Sequence, residues 1–178
     1  AGVSKAGTDT FLQPVFCTET PDGNIVFADG HWPRPSKAPQ DGDRLVWYTR
    51  DGKFIKSFGH HGRKPGEFMG PHGLAFDSQG RLFVADRSNN RIQIFDKNLN
   101  FVDELRHFGR PSNIWILKED TLLLADSESN RRIGGGGTVS GGAADSPEGA
   151  DGIRNPGWKN GIRIGSAKDG YLKYDIDG

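Results

Sequence analysis

Cysteine is almost absent from this chain of 178 residues. Cys17 stands alone, so no internal disulfide framework and no multi-cysteine zinc site can be built. An excess of charge of one sign is missing too. Lys plus Arg and Asp plus Glu are both 23, which leaves no basic face for a sequence-independent grip on nucleic acid and no polybasic patch for a membrane surface. No run approaches the roughly 18 apolar residues that a spanning helix needs, and no helical period of useful length occurs anywhere. The first residues, Ala1 to Lys5, hold neither a Met nor an apolar h-region, which is expected of a mature end and is silent about compartment. Glycine is plentiful, 26 residues, beside 10 prolines, the composition of a chain that turns often.

The turns recur. Three segments each start at a proline and reach an Ala-Asp pair whose Asp is 15 residues on: Pro14 to Asp29, Pro71 to Asp86 and Pro111 to Asp126. Inside each, a turn pair falls at one offset (Asp22-Gly23, Gln79-Gly80, Glu119-Asp120), followed by an apolar run (Ile25–Phe27, Leu82–Val84, Leu122–Leu124). Such runs bounded by turn residues read as buried strands joined by tight hairpins. The second halves repeat more loosely. Arg44–Tyr48 turns at Asp51-Gly52, Arg91–Phe95 at Asp96–Asn98, and Arg163-Ile164 at Asp169-Gly170, each returning as a further strand. Each unit is therefore a four-stranded antiparallel meander, strands a to d, which is the pattern of a β-propeller blade.

The expected fold is all-β, with three blades. The chain divides into an N-terminal extension (1–10), a first blade (11–58, with a Pro-rich insertion at 31–43), a second (59–106), and a third (107–178, with a Gly-rich insertion at 127–161). Residues 134–151 are low in apolar content and read as a loop rather than a phosphate cradle, since no strand–Gly-loop–helix context surrounds them. Rings close with about four to eight blades. Three are therefore half of a six-bladed ring, completed by further blades of a longer protein or by self-association of two copies.

Two stretches carry a family resemblance. Gly59 to Phe68 followed by Pro71 to Asp77, and then Val84-Ala85-Asp86 with Asn90 to Phe95, resemble an NHL repeat. The resemblance covers 11–133 and resumes at 155–176, and it implies the propeller fold more than any activity.

The meander decides which groups share an edge. Asp29, Asp86 and Asp126 end strand b, and Arg44, Arg91 and Arg163 belong to strand c, so all six fall on one rim with the d-to-a loops and both insertions. All five histidines, His31, His60, His61, His72 and His107, fall on that rim or at the head of strand a, which makes it the candidate site. His72 is the sharpest case, because its counterparts Val15 and Ser112 are not histidines and the slot does not require one. Its alternatives are metal ligation or a water-bound channel histidine. An aspartate repeated after a strand is a turn-capping acceptor before it is a catalyst or calcium ligand, and Arg91 and Arg163 read as repeat structure beside it. His60-His61 with Arg63 and Lys64 make a locally basic loop, either a solvated surface or an anion receiver. Trp158, in the turn Asn155 to Trp158, reads as a lid or as a plug of the third blade, and Cys17 as buried and inert.

A closer resemblance gives these positions roles. Pro71-His72-Gly73-Leu74, then Ala85-Asp86-Arg87 and Asn90-Arg91-Ile92-Gln93, resemble the propellers of peptidyl-α-hydroxyglycine α-amidating lyases, zinc enzymes that cleave a carbinolamide to an amide and glyoxylate. The resemblance implies zinc held by His72, a catalytic Arg44 binding the substrate carboxylate, and Trp115 in the region of an active-site tyrosine; for Arg44 the alternative is a structural arginine, since Arg91 fills the same repeat slot. It also implies further zinc histidines in later blades and an extracellular or periplasmic setting. Structural calcium is a second cofactor expectation. The rival readings are a non-catalytic NHL scaffold for a protein, peptide, small-molecule or glycan ligand, a lactonase-like hydrolase, and an RNA-binding surface, which the charge balance disfavours.

Overall fold

The computed structural model describes residues 10–31, 42–130 and 155–177; the stretch 134–151 and most of both insertions fall outside them. Twelve strands are present among the described residues: β1 Pro14–Glu19, β2 Ile25–Asp29, β3 Arg44–Tyr48, β4 Phe54–Phe58, β5 Pro71–Phe76, β6 Leu82–Asp86, β7 Arg91–Phe95, β8 Phe101–Leu105, β9 Asn113–Ile116, β10 Thr121–Asp126, β11 Gly161–Ser166 and β12 Leu172–Asp177. Two short 3-10 turns, Arg87–Asn89 and Lys118–Asp120, are the helical content of the described residues. The strands form three four-stranded antiparallel sheets in chain order, β1 to β4, β5 to β8 and β9 to β12. The first hairpin of each sheet turns on a left-handed residue, Gly23 (φ 83), Gly80 (φ 77) and Asp120 (φ 61). A tight hairpin demands that conformation, and Gly or Asp tolerates it.

Strand periodicity then sorts the side chains between two faces. In the second sheet, Leu74, Leu82, Val84 and Phe95 join Val26, Ala28, Leu45 and Trp47 of the first in one buried cluster. From the opposite face, Ala75, Phe83, Ile92 and Ile94 join Ile114, Leu122 and Leu124 of the third in another. The cores are thus the spaces between blades. The inner strand β5 lies between β1 and β9, so those three strands line the inside of the arc. This is the β-propeller arrangement, blade packed face to face on blade.

Two faces have no blade against them among the described residues. Phe11, Phe68 and Phe108 occupy one repeat slot, three residues before the strand-a proline. Phe68 fills the space between blades one and two, and Phe108 that between two and three. Phe11 lies on the outer face of blade one, its ring centroid 5.1 Å from Phe27 and 5.6 Å from Tyr48. At the other end, Trp115, Ile162, Tyr174 and Ile176 stand exposed on the outer face of blade three, paired in register across Leu123, Ala125 and Ile164. Cys17 corrects the expectation from sequence. It is exposed rather than buried, because it pairs with Phe27 and so shares the uncovered face of blade one.

Candidate functional site

The repeat aspartates organise the rim. Asp29 Oδ1 accepts from the Leu12 and Gln13 amides, Asp86 Oδ1 from Met69, and Asp126 Oδ2 from Arg110. Each carboxylate therefore ties the incoming loop to the end of strand b. Each also meets a strand-c arginine: Arg44 Nε at 3.2 Å from Asp29, Arg91 Nε at 2.8 Å from Asp86, and Arg163 Nη1 at 3.5 Å from Asp126. All three aspartates and all three arginines are buried. Arg44, named from the resemblance as catalytic, is held in this slot, with Nη2 donating to the Thr10 carbonyl at 2.5 Å. The aspartate oxygens are engaged by N–H and guanidinium donors, an environment made for anions and unsuited to calcium.

The slots next to the aspartates differ from blade to blade, and there the chemistry gathers. His72 follows the opening proline of β5, where the other blades have Val15 and Ser112. One residue past the aspartate stand Gly30, Arg87 and Ser127; two past it stand His31, Ser88 and Glu128. The structure brings the odd members of these slots together. Arg87 Nη1 donates to His72 Nε2 at 2.7 Å, and Arg87 Nη2 pairs with Glu128 Oε2 at 2.5 Å. The same Glu128 oxygen lies 3.2 Å from Arg110 Nε. The His31 ring stacks obliquely on His72 with centroids 5.3 Å apart. Arg87 and Glu128 escaped the sequence reading, although their departure from the neighbouring blades at fixed slots was the available signal.

Electrostatics keeps the imidazoles neutral. Burial first, then the Arg87 charge and the neighbouring His31, push His72 down to about 4, against weaker opposition from Glu128 and from the Ser112 carbonyl. Burial and Arg87 likewise lower His31. A neutral His72 accepts from Arg87 at Nε2, which leaves its proton on Nδ1. Arg87 is 9% exposed at its side chain, and its buried Nε has no partner among the described residues.

The other sequence candidates lie apart. His60 is exposed, 3.5 Å from Glu67. His61 Nδ1 bonds Asp43 Oδ2 at 2.6 Å at the junction of blades one and two. His107 is turned to the carbonyl of Gly170, at 2.7 Å from Nε2, and packs on Phe108. Trp115 lies in mid-strand on the open face of blade three, 60% exposed. Trp158 is half-buried with the Arg163 guanidinium 5.5 Å from its ring centre.

The zinc ion that the resemblance implies does not fit these residues as they stand. A catalytic site takes about three protein ligands. Here two imidazoles meet, the lone pair on His72 Nε2 is occupied by a guanidinium, and the charge on Arg87 repels a dication. Among the described residues no group of three or more His, Cys, Asp or Glu is placed to hold a metal.

Known proteins place the fold. The NHL repeat model matches residues 68–95. The lin-41 protein of Caenorhabditis elegans is 52% identical over 50 residues, 28% of this chain and 4% of that protein. Peptidyl-glycine alpha-amidating monooxygenase A of Xenopus laevis is 36% identical over 109 residues, 56% of this chain and 11% of that protein. The chain thus spans a small part of either relative. A crystal structure of a Bacteroides fragilis protein superimposes with a TM-score of 0.59 at 13% identity, covering 98% of this chain and 40% of that one. Three four-stranded blades make this chain an arc of a β-propeller, and its second blade matches the NHL repeat.

Proposed function

We propose that this arc is a ligand-binding scaffold whose rim, at His31, His72 and Arg87, receives the carboxylate of a peptide or small molecule. The observation that carries the reading is the Arg87 guanidinium, fixed between His72 and Glu128 with its buried Nε unpartnered. Glu128 already lies in this cationic corner as an internal carboxylate, shared by Arg87 and Arg110. An incoming carboxylate would take the place of Glu128 on Arg87, and a planar guanidinium suits that exchange better than an ammonium. Neutral His72 and His31 would flank the ligand without adding charge.

Titration with hippurate and with its amide, followed through the imidazole resonances, tests this. The acid should shift His72 and His31 saturably in the wild type and not in Arg87→Met, while the amide leaves both unmoved. Equal responses to acid and amide, or none to either, would reject the reading.

The zinc-dependent lyase-like reading is the alternative, favoured by the 36% identity to the Xenopus laevis amidating monooxygenase. It requires imidazoles from blades outside the described residues and a displaced Arg87. The uncovered faces of blades one and three support the matching proposal that the arc is completed by further blades, in an isolated chain by a second copy.

A further inference from the structure

A hollow lies on the rim opposite the histidines, wedged between blades one and two where the hairpin turns meet. It holds about 440 Å³, within the range of small-molecule sites, and its floor is apolar: Trp47, Ile55, Phe76, Leu82 and Leu99. Asp22 and Asp96 stand at its edge on two different turns, with the Lys56 and Lys97 ammonium groups beside them.

The matching wedge between blades two and three is bridged by a hydrogen-bonded clasp that this one lacks. There the Ser78 amide and hydroxyl donate to the Asp120 carboxylate at 2.8 and 2.7 Å, and Arg81 reaches the Ala167 carbonyl at 2.8 Å. In repeat register the Ser78 slot of blade one is Pro21, and the Asp120 slot of blade two is Gly80. Proline has no N–H to give and glycine has no carboxylate to receive it, so the clasp cannot form. Both residues line the open wedge.

We propose that this wedge is a binding site for an amphipathic organic cation, a flat or aliphatic apolar body carrying an ammonium head. The apolar floor would take the body. The head has two sources of attraction. The Lys56 ammonium already sits 5.0 Å from the centre of the Trp47 ring, so the indole face accepts a cation in this geometry. Asp22 is held anionic by the Thr20 hydroxyl and the Asn24 amide, and Asp96 by the Asn100 side chain and backbone. Lys56 is then a built-in competitor, exposed and free to swing away from the indole as the ligand enters.

The test uses tryptamine and indole-3-acetate as probes, titrated by calorimetry into the full chain. Tryptamine should bind at one site per chain, several-fold tighter in Lys56→Ala and about threefold or more weaker in Asp22→Asn with Asp96→Asn; indole-3-acetate should bind more weakly than tryptamine throughout. The double variant Pro21→Ser with Gly80→Asp transplants the clasp. Asp120 adopts the same left-handed conformation as Gly80, and a Cβ at Gly80 meets nothing within 4 Å, so the variant has room to fold. It should lose tryptamine binding while its melting temperature holds or rises. No saturable binding of tryptamine to either the wild type or Lys56→Ala would overturn the proposal, as would equal binding of indole-3-acetate. Undiminished binding to a folded double variant would overturn the location.

Discussion

Arg87 donates to His72 across 2.7 Å, and this bond makes the imidazole an acceptor, while burial first and the Arg87 charge second keep it uncharged. Neither residue is demanded by the repeat, since blades one and three place Gly30 and Ser127, Val15 and Ser112 in the same slots. The pair is a property of blade two alone, set at the inner strand of the arc where a ligand in the channel would meet it.

Removing Arg87 should release His72. In Arg87→Met the His72 pKa should rise from about 4 toward the ordinary imidazole range, stopping short of it because burial, the larger cause, remains. Histidine NMR across pH 3–8 reads this directly; an unchanged titration would show that the guanidinium charge has no hold on the ring.

The same shift makes stability depend on pH. A histidine whose folded pKa lies below its unfolded value favours folding while neutral, and that contribution fades as pH falls from about 6.5 toward about 4. Asp86, raised to about 6 chiefly by burial, pulls the other way over an overlapping window. The readout is therefore the difference in urea midpoint between wild type and His72→Gln. This difference should move against the wild type as pH is lowered through the window and stay flat above pH 7.

Asp86 accepts from the Met69 amide, Asn89, Arg91 and Gln93, all inside the rim of blade two. Asp86→Ala would leave the Arg91 charge, 1% exposed, to Glu104 alone and orphan the Met69, Asn89 and Gln93 donors, and should cost about 3 kcal/mol in chemical denaturation. By contrast, Glu19→Ala, which breaks the exposed pair with Arg50, should change stability by less than about 1 kcal/mol.

The fold was legible because the strands announce themselves. The fixed interval from Pro14, Pro71 and Pro111 to the three aspartates, the apolar runs, and the Asp-Gly turns are local signals, and each follows from strand periodicity and turn geometry. The site was legible in part. His72 and His31 could be placed on one rim from the meander, but which histidines meet depends on how blades pack. That packing sends His107 to Gly170 and His61 to Asp43. Arg87 carried a signal that reads only when blades are compared slot by slot. Cys17 misled because burial on strand a needs a neighbouring blade, and among the described residues its face has none.

The open faces give a prediction about mass. Phe11 sits in the slot where Phe68 and Phe108 fill interblade cores, and blade three presents Trp115 and Ile162 outward. Light scattering at tens of micromolar should give a mass above the 19.5 kDa of the chain, falling to that of the monomer in Trp115→Glu. A monomer in both would mean that the faces do not associate with each other.

The most direct test of the account is the nitrogen-15 spectrum of the His72 imidazole, recorded at pH 7 with and without one equivalent of zinc. The account predicts the Nδ1-protonated neutral tautomer, with Nε2 at the shift of a hydrogen-bond acceptor and unmoved by the metal, while hippurate displaces both His72 and His31 signals. A stoichiometric zinc-induced shift of Nε2 would contradict it, and would restore His72 to the role of a metal ligand.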